Sequence, residues 1–408
     1  REFTAAGRFE RFSGTGSTTK PKFGLNYRPN DWILLRSSAA WSFRAPNLVQ
    51  TNTTPLQRSG STYTDAYRSE VTGLNRDSNS MPVVFRQGND GLKPETARSL
   101  SVGLAVAAPF YRDLTLTVDT WRIRQKDVIS SVTVATQLLY DEELLDGAVQ
   151  RELAKGTPIS QINLGSGTSS YLGNPKVVRA PVTPADIADY QAFNAGKPAS
   201  QQRAPVGSLR SVVTDYVNLA GRETAGLDFG AELRLPRTRA GQGTIRGEAS
   251  YLLKSATQAD PGAPNVDNIN RDGRTRFRGN VGLTWRTGGW TAGWITYYYG
   301  TYVDTSTSTT KEIYDVLGQP DYISSYVDSG GVRRYRYLVS AFATHSAYLN
   351  YAFPRKERGL FSGTSVRFRV NNLSDREPPI ADEDTGYRRG AGSNPRGRTY
   401  EAQVTKRF

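Results

Sequence analysis

The chain has 408 residues, with 52 Lys and Arg against 38 Asp and Glu, a single His and no Cys. The lack of Cys excludes disulfides, zinc–cysteine clusters and thiol catalysis, and one His argues against a His-dependent triad or a transition-metal site. A net charge of +14 invites a nucleic-acid interpretation, which depends on where the cations lie along the chain.

Apolar and polar side chains alternate over long segments, whereas helical spacing of apolar residues is scarce. Leu100, Val102, Leu104 and Val106, for example, alternate with small or polar residues. Successive side chains of a strand point to opposite faces, so this pattern predicts strands with one apolar and one polar face. We predict about twelve strands, at residues 1–12, 19–28, 32–43, 95–107, 114–126, 212–235, 243–253, 274–286, 290–302, 337–353, 364–373 and 398–408.

The predicted strands are longer than those of a typical soluble sheet. They span about 10 to 13 residues, whereas soluble strands are most often about 5 or 6 residues long and transmembrane strands need about 9 to 11. Aromatic residues also gather on the apolar face near strand ends, as in the girdles of membrane barrels. They include Trp285, Trp290, Tyr351, Phe353 and Tyr400. Both features favour an all-β fold, a transmembrane antiparallel β-barrel, over a large soluble β-protein, which also alternates.

Short connections alternate with long ones between the predicted strands. The long ones lie at about residues 44–94, 127–211, 255–272, 303–334 and 374–397. Outer-membrane barrels have short periplasmic turns and long extracellular loops, so we expect these segments outside the cell and the C-terminus in the periplasm. In the longest loop we expect one helix over residues 141–154 and another that begins after Thr183, with Pro184 at its first position.

Five segments at predicted strand ends resemble sequences of the TonB-dependent outer-membrane receptors, in the order found in that family. They are Phe43-Arg44-Ala45-Pro46, Leu92-Lys93-Pro94-Glu95-Thr96, Asn218 with Gly226-Leu227-Asp228, Asn372-Leu373-Ser374-Asp375 with Pro378-Pro379, and Pro395-Arg396-Gly397-Arg398-Thr399-Tyr400 with Phe408. Ser374 stands where the family usually has Phe. The resemblance covers nearly the whole chain, so residues 1–408 are expected to form the C-terminal portion of such a barrel.

The resemblance implies more strands than this sequence contains. Barrels of the family are 22-stranded and hold an N-terminal plug domain, preceded by a segment that engages TonB. Here no segment resembles a plug, and an unclosed sheet edge cannot face lipid because its unpaired backbone groups are costly to bury. We therefore expect the first strand to pair with preceding strands that this sequence lacks. The alternatives are a second chain that supplies the remaining strands and plug, or the last strand of a smaller closed barrel.

Arginine is frequent on the polar parity of the strands, which faces the lumen of the predicted barrel. The candidate ligand-binding residues are Arg246, Arg274, Arg276, Arg278, Arg367 and Arg369. A cationic lumen attracts anionic ligands such as ferric chelates, phosphorylated compounds or acidic glycans. In the alternative interpretation these arginines have a structural role and pair with acids of a plug or with the lumenal acids Asp228, Glu232, Glu248 and Glu401.

Two further interactions are expected at the periphery of the barrel. In the family a terminal aromatic residue helps the barrel-assembly machinery recognise the last strand, so Tyr400 and Phe408 are the expected assembly signal. For Phe408 a simple interfacial anchor is the alternative. Cations of the loops and rim are expected to bind phosphates of outer-membrane lipopolysaccharide. They include Arg333, Arg334, Arg336, Arg388 and Arg389.

Enzymatic, metal-binding and nucleic-acid functions find little support in the sequence. No recognised nucleic-acid-binding motif is present, and the cations alternate along strands or lie in loops, so nucleic acid is not an expected partner. No Gly-X-Ser-X-Gly motif is present, so we expect no enzyme. No cofactor or metal is expected either, because His345 has no second His or Cys and a solvated role is favoured over Ca²⁺ binding for Asp382-Glu383-Asp384.

The function expected from the resemblance is uptake of a scarce solute, such as a ferric siderophore, cobalamin or a glycan, with energy from the TonB system. Two alternatives belong to other classes. One is a passive outer-membrane channel, and the other is a barrel that anchors surface loops in a cell-surface protein assembly.

Overall fold

A computed structural model describes most of the chain. The described residues are 1–12, 16–58, 61–73, 77, 79–108, 111, 113–259, 264–305, 309, 311–327, 333–354, 359, 361–382, 386–387 and 395–407. None of the helices formed by these residues is both long enough and apolar enough to cross a membrane.

One large antiparallel sheet dominates the described part of the chain, and each of its twelve main strands pairs with its neighbours in sequence order. A two-residue strand, Val266–Asp267, pairs with the end of the main strand Gln242–Gln258. The main strands are β1 (Glu2–Phe12), β2 (Gly16–Asn30), β3 (Ile33–Arg44), β4 (Glu95–Ala107), β5 (Leu114–Ser131), β6 (Tyr216–Arg234), β7 (Gln242–Gln258), β8 (Phe277–Thr287), β9 (Trp290–Tyr299), β10 (Phe342–Ala352), β11 (Thr364–Asn371) and β12 (Thr399–Lys406). The predicted number of strands is therefore confirmed.

The alternation of the sequence becomes two distinct faces of this sheet. On β4, Leu100, Val102 and Leu104 are 47%, 50% and 36% exposed. Leu104 lies opposite Val118 of β5, which is also exposed, so the apolar face is continuous from strand to strand. Exposure of these side chains distinguishes the sheet from a soluble sandwich, in which a second layer covers the apolar face. We call this the outer face and the opposite one the inner face.

The path of hydrogen bonding through the sheet is open at both ends. In the part of the chain that the structure describes, β1 pairs with β2 alone and β12 with β11 alone. These strands therefore do not close into the smaller barrel that was one of the three expectations for the first strand.

Several predicted strand ends were wrong because alternation continues into strands of the loops. The predicted strand 212–235 is divided, since Leu209–Thr214 pairs within the loops and β6 begins at Tyr216. Likewise β9 ends at Tyr299, and β10 begins at Phe342 because Arg333–Val339 belongs to a loop sheet. Alternation alone does not mark the residue at which a chain changes its pairing partner.

The largest buried core lies in two long loops rather than on the sheet. Residues 45–94 and 132–215 fold together, and we call this unit the loop domain. Its four-stranded sheet pairs Val83–Arg86 of the first loop in parallel with Leu209–Thr214 of the second, flanked by Leu56–Arg58 and Val177–Arg179. Its helices are α1 (Leu48–Thr51), α2 (Ala66–Thr72), α3 (Val134–Ala154) and α4 (Pro184–Asn194), with 3-10 turns at Ile159–Gln161 and Ala199–Gln201.

The two predicted helices of the longest loop are present. Helix α4 begins at Pro184, and Thr183 and Asp186 form a capping box in which each side chain accepts the other's backbone N–H. Helix α3 begins at Val134, seven residues before the predicted start, because Thr133 caps it by accepting from the N–H of Thr136.

A smaller loop unit follows β9. It contains α5 (Lys311–Val316) and a three-stranded sheet of Tyr302–Asp304, Arg333–Val339 and Ile323–Val327. Tyr302, Tyr335 and Tyr337 belong to its buried core, together with Ile323 and Val339.

Candidate functional site

The inner face of β7 to β12 carries a group of basic and aromatic side chains that cross-strand register brings together. Arg246 of β7 lies opposite Gly282 of β8, which lies opposite Ile295 of β9. Tyr348 of β10 lies opposite Arg369 of β11. These strands border a cavity of about 380 Å³ lined by Arg246, Arg286, Tyr297, Tyr348 and Arg369 among others.

Arg246 is the one candidate arginine for which the structural alternative holds among the described residues. Its Nε lies 3.0 Å from Oε2 of Glu232, which also accepts from Arg234 at 3.2 Å. This shared carboxylate satisfies Arg246 within the wall, so it contributes less free charge to the cavity than its exposure suggests.

Arg367 and Arg369 contact an aromatic ring instead of a carboxylate. Both guanidinium groups stack on Tyr348, 5.2 and 5.9 Å from its ring centroid. Gly293 makes room for that ring, since a Cβ there would be 2.1 Å from the ring's Cε1. Glu401, the Cα partner of Arg369, accepts instead from the Asn371 side chain at 2.8 Å.

Arg278 lies in the wall of a neighbouring cavity. Its Cα partners are Ser250 and Tyr299, and the cavity, of about 460 Å³, also includes Asp119 and Asp228 in its lining. Within the described residues, no carboxylate lies at ion-pair distance from Arg278, Arg367 or Arg369. The described part of the wall therefore does not neutralise the charge of these three arginines.

Arg274 and Arg276 lie outside the main strands, just before β8. Arg274 forms an isolated bridge with Arg271 in the connection that follows β7. The guanidinium of Arg276 lies 5.7 Å from the ring of Tyr251, whose Cα partner Phe277 belongs to the outer face. The structure thus does not bring these two arginines together with Arg278, because the strand whose parity they were assigned to begins only at Phe277.

A charged pair that the sequence did not single out spans three strands of the inner face. Arg36 of β3 and Asp119 of β5 lie on either side of Gly103 of β4, and Arg36 Nε donates to Asp119 Oδ1 at 2.7 Å. A Cβ at Gly103 would lie 1.9 Å from that oxygen, so glycine is required for the two side chains to meet over the middle strand. Only the register, which the sequence alone does not supply, identifies this pair.

Three of the five motifs that carried the resemblance meet in space near the ends of β3, β4 and β6. Arg44 donates to both oxygens of Glu95, at 2.5 and 2.7 Å, and Glu95 also accepts from the N–H of Ile129 at 2.7 Å. Asn218 accepts from the N–H of Lys93 and donates to its carbonyl, both at 2.8 Å. These residues fasten strand ends to one another, which is a structural role.

Buried arginines hold the loop domain together. Arg179 is fully buried, and its Nη1 lies 2.6 Å from Asp65 and its Nη2 2.8 Å from Asp141. Its Nε also donates to the hydroxyl of Tyr171 at 2.8 Å. Burial raises the pKa of Asp141 in spite of Arg179, and it raises the pKa of Tyr171 as well. In the sequence, these buried loop arginines cannot be distinguished from solvent-exposed ones. No sequence feature therefore predicts this cluster.

Arg68 forms a second buried cluster that reaches α4. Its side chain pairs with Asp77 at 3.2 Å and with Asp186 at 2.9 Å. Burial opposes ionisation of Asp186, but hydrogen bonds from Thr183 and Arg68 outweigh it and lower the pKa of this carboxyl. The two long loops are thus linked by ion pairs as well as by the parallel strands.

The remaining sequence candidates lie at the periphery. Tyr400 is 63% exposed on β12 and stacks on Phe368, 6.3 Å away, whereas Phe408 lies outside the described residues. Arg333 and Arg336 donate to Ser325 and Ser324, both at 3.0 Å. Arg388, Arg389, Glu383 and Asp384 also lie outside the described residues.

Comparison with known proteins gives the relatives of this chain. The model of the family described as TonB dependent receptor-like, beta-barrel, matches residues 2–373. The probable TonB-dependent siderophore receptor PirA of Acinetobacter baumannii is 28% identical over 127 residues, which is 31% of this chain and 15% of that relative.

Solved structures of two receptors share the fold. The siderophore receptor PirA from Acinetobacter baumannii has a TM-score of 0.54 and 16% identity, over 98% of this chain and 43% of its own. The ferric enterobactin receptor PfeA from Pseudomonas aeruginosa has a TM-score of 0.52 and 16% identity, over 98% of this chain and 42% of its own. The chain therefore spans less than half the length of these relatives. The predictions of a β-barrel fold and of membership in the TonB-dependent receptor family are confirmed.

Proposed function

The chain belongs to the TonB-dependent receptor β-barrel family of the bacterial outer membrane, and on this premise we propose that it lines the uptake path of a receptor for a scarce anionic solute. The solute class we favour is a ferric siderophore, because the solved relatives are named as siderophore or ferric enterobactin receptors. Energy from the TonB system would drive the uptake.

The observation that carries this proposal is the set of unpaired arginines on the inner face. Arg369 and Arg278 line cavities of about 380 and 460 Å³, and Arg367 stacks on Tyr348 beside the first of them. None of the three has a carboxylate partner among the described residues. Tyr348 and Tyr297 lie beside them and present aromatic rings to the same space. Cations in a concave, partly desolvated wall attract anions, and a ferric chelate combines negative charge with flat aromatic or carbonyl groups.

We propose that the sheet is the C-terminal portion of one larger barrel, whose remaining strands and plug come from a preceding part of the same polypeptide or from a second chain. TonB would act through that plug. The exposed edge of β1 supports this proposal, since a sheet edge in lipid has to be paired.

Orientation and assembly belong to the same proposal. Connections of 2 to 11 residues, such as 288–289 and 353–363, alternate with connections such as 45–94 and 132–215, which supports extracellular long loops and a periplasmic C-terminus. Tyr400, with Phe408 beyond it, would present the last strand to the barrel-assembly machinery. Lipid and lipopolysaccharide of the outer membrane would surround the outer face.

Uptake by whole cells tests the proposal. Cells that express the complete receptor would be given radio-iron bound to a panel of anionic chelators, including enterobactin, with and without a functional TonB system. We expect uptake of at least one chelate that depends on TonB. Absence of uptake for the whole panel would contradict the ferric-chelate proposal, and uptake that persists without TonB would favour the passive channel.

A variant of the inner face tests the role of the arginines. Arg278→Gln with Arg369→Gln is expected to reduce uptake by roughly tenfold or more, because each charge-assisted hydrogen bond contributes about 1.5–3 kcal/mol. Arg151→Gln, in an exposed position of α3, is the matched control and should leave uptake unchanged. Equal uptake by both variants would assign the arginines a structural role.

A further inference from the structure

The outer face carries an unusual concentration of cations on β4, β5 and β7. Arg98, Arg122, Arg124, Lys126 and Lys254 share the parity of the exposed apolar residues that follow Arg98 along β4. We call these five side chains the outer cationic patch. A lipid-facing parity is apolar where it crosses hydrocarbon, so a cluster of cations on it requires a separate explanation.

Register places the patch directly beside the apolar rows of the outer face. Arg98 lies opposite Trp41 of β3, and its guanidinium stacks 5.2 Å from that ring. Leu100 and Val102, the next outer-face residues of β4, are about half exposed. Tryptophan prefers the boundary between hydrocarbon and headgroups, so the row that contains Trp41 and Arg98 marks that boundary.

The patch has more positive charge than its own carboxylates can neutralise. Glu223 of β6 accepts from Arg122, from Arg124 at 3.1 Å and from Lys254 at 2.8 Å. The exposed Asp267 lies at the far edge opposite Ala256 and accepts from the backbone of Ile269. Five cations thus face two carboxylates, of which one serves three of the cations.

Two of the cations lie directly opposite each other. Arg98 and Arg124 are Cα partners on β4 and β5, and like charges in that relationship destabilise a sheet unless an anion lies between them. Lys126 is the next outer-face residue of β5, and it is exposed. The patch therefore presents exposed donors around a position that favours a bound anion.

We propose that the outer cationic patch binds phosphate groups on the headgroups of outer-leaflet glycolipid, whose acyl chains lie against the adjoining apolar rows. Continuity with the lipid-facing side chains distinguishes this ligand from a soluble anion, which would gain nothing from Leu100 or Val102. The proposal rests on the outer-membrane placement of the barrel and is independent of the solute that it takes up.

Lipid binding by the complete receptor tests the proposal. The probe is the diphosphorylated glucosamine lipid of the outer leaflet in mixed micelles, compared with the same lipid after enzymatic dephosphorylation and with inorganic phosphate. The test variant, Arg98→Gln with Arg124→Gln and Lys126→Gln, keeps Arg122 and Lys254 on Glu223. The control, Arg8→Gln with Lys20→Gln and Lys22→Gln, removes three cations from the inner face of β1 and β2.

We expect the test variant to bind the phosphorylated lipid on the order of a hundredfold more weakly, since each cation near an anionic surface contributes roughly fivefold. The control should bind like the unmodified receptor. A Glu223→Gln variant should bind more tightly, because it frees three cations.

Equal binding of the dephosphorylated lipid, equal loss in the control, or weaker binding by Glu223→Gln in a folded barrel would each overturn the proposal. Tight competition by inorganic phosphate alone would also overturn it. The uptake assay tests the proposed function independently of this lipid-binding measurement.

Discussion

Asp65 of the first long loop pairs with Arg179 of the second, with 2.6 Å between Oδ2 and Nη1 and both side chains fully buried. Asp141 completes the cluster from α3. An ion pair in this environment contributes little when it is intact, but loss of one partner leaves an uncompensated charge in the core. The pair therefore makes the two loops a single unit that folds or opens together.

Replacement of Arg179 should open the loop domain without unfolding the sheet. Arg179→Met leaves Asp65 and Asp141 buried without a cation. We therefore expect the free energy of local unfolding of α3, its opening free energy, to fall by about 3–5 kcal/mol. Hydrogen exchange of the α3 amides measures this quantity. Arg151→Met, on the exposed side of the same helix, should cost less than about 0.5 kcal/mol. A loss below about 1 kcal/mol for Arg179→Met would mean that the cluster does not hold the loops together.

The loop domain should also lose stability in acid through Asp186. A carboxyl whose pKa is lowered on folding contributes stability above its ordinary value of 3.8, and this contribution disappears as the pH falls through the lowered pKa. We therefore expect the opening free energy of α4 to fall below about pH 4 in the unmodified protein. Asp141 and Glu142, whose pKa values burial raises, act in the opposite direction.

Asp186→Asn isolates this contribution. The variant should lose about 1 kcal/mol near neutral pH, because the capping box and the pair with Arg68 are weakened. Its opening free energy should then depend less on pH below 4 than that of the unmodified protein. An unchanged acid response in the variant would show that other carboxyls control the acid sensitivity of α4.

Gly103 gives a test of the ion pair between Arg36 and Asp119. Gly103→Ala adds a methyl group whose carbon would lie only 1.9 Å from Asp119 Oδ1 and 2.9 Å from Arg36 Nε. We expect a loss of about 1–3 kcal/mol in denaturant unfolding of the barrel, since crowding displaces the pair. Gly7→Ala is the control, because a Cβ at that position would have no neighbouring heavy atom within 4 Å. Equal stability of the two variants would contradict this account.

Periodicity in the sequence predicted the part of the fold that depends on one strand at a time. Alternation located the twelve strands, and the predicted bounds of β4, at 95 and 107, agree with the structure. The apolar parity that includes Leu100 and Val102 is the exposed face, as lipid contact requires. Motifs such as Phe43-Arg44-Ala45-Pro46 supplied the family, which a single alternating segment does not do.

Features that depend on two distant segments were not predictable from the sequence. The contact of Arg36 with Asp119 needs the register of three strands, and the burial of Arg179 needs two loops to fold together. Arg274 and Arg276 were grouped with Arg278 because parity was extended beyond the true start of β8. The sequence pattern around a charged residue is the same whether its side chain is solvated, paired or buried, so the pattern does not distinguish these environments.

The central claim is that the apolar parity of the sheet faces lipid and the polar parity faces an enclosed aqueous space. The chain has no cysteine, so single cysteines introduced in turn at Leu227, Asp228, Phe229 and Gly230 provide a clean test. In the complete barrel in bilayers, a water-soluble maleimide should label positions 228 and 230, and a lipid-borne quencher should quench a fluorophore at 227 and 229. Labelling and quenching that do not alternate with residue number, or that alternate with the opposite parity, would contradict the account.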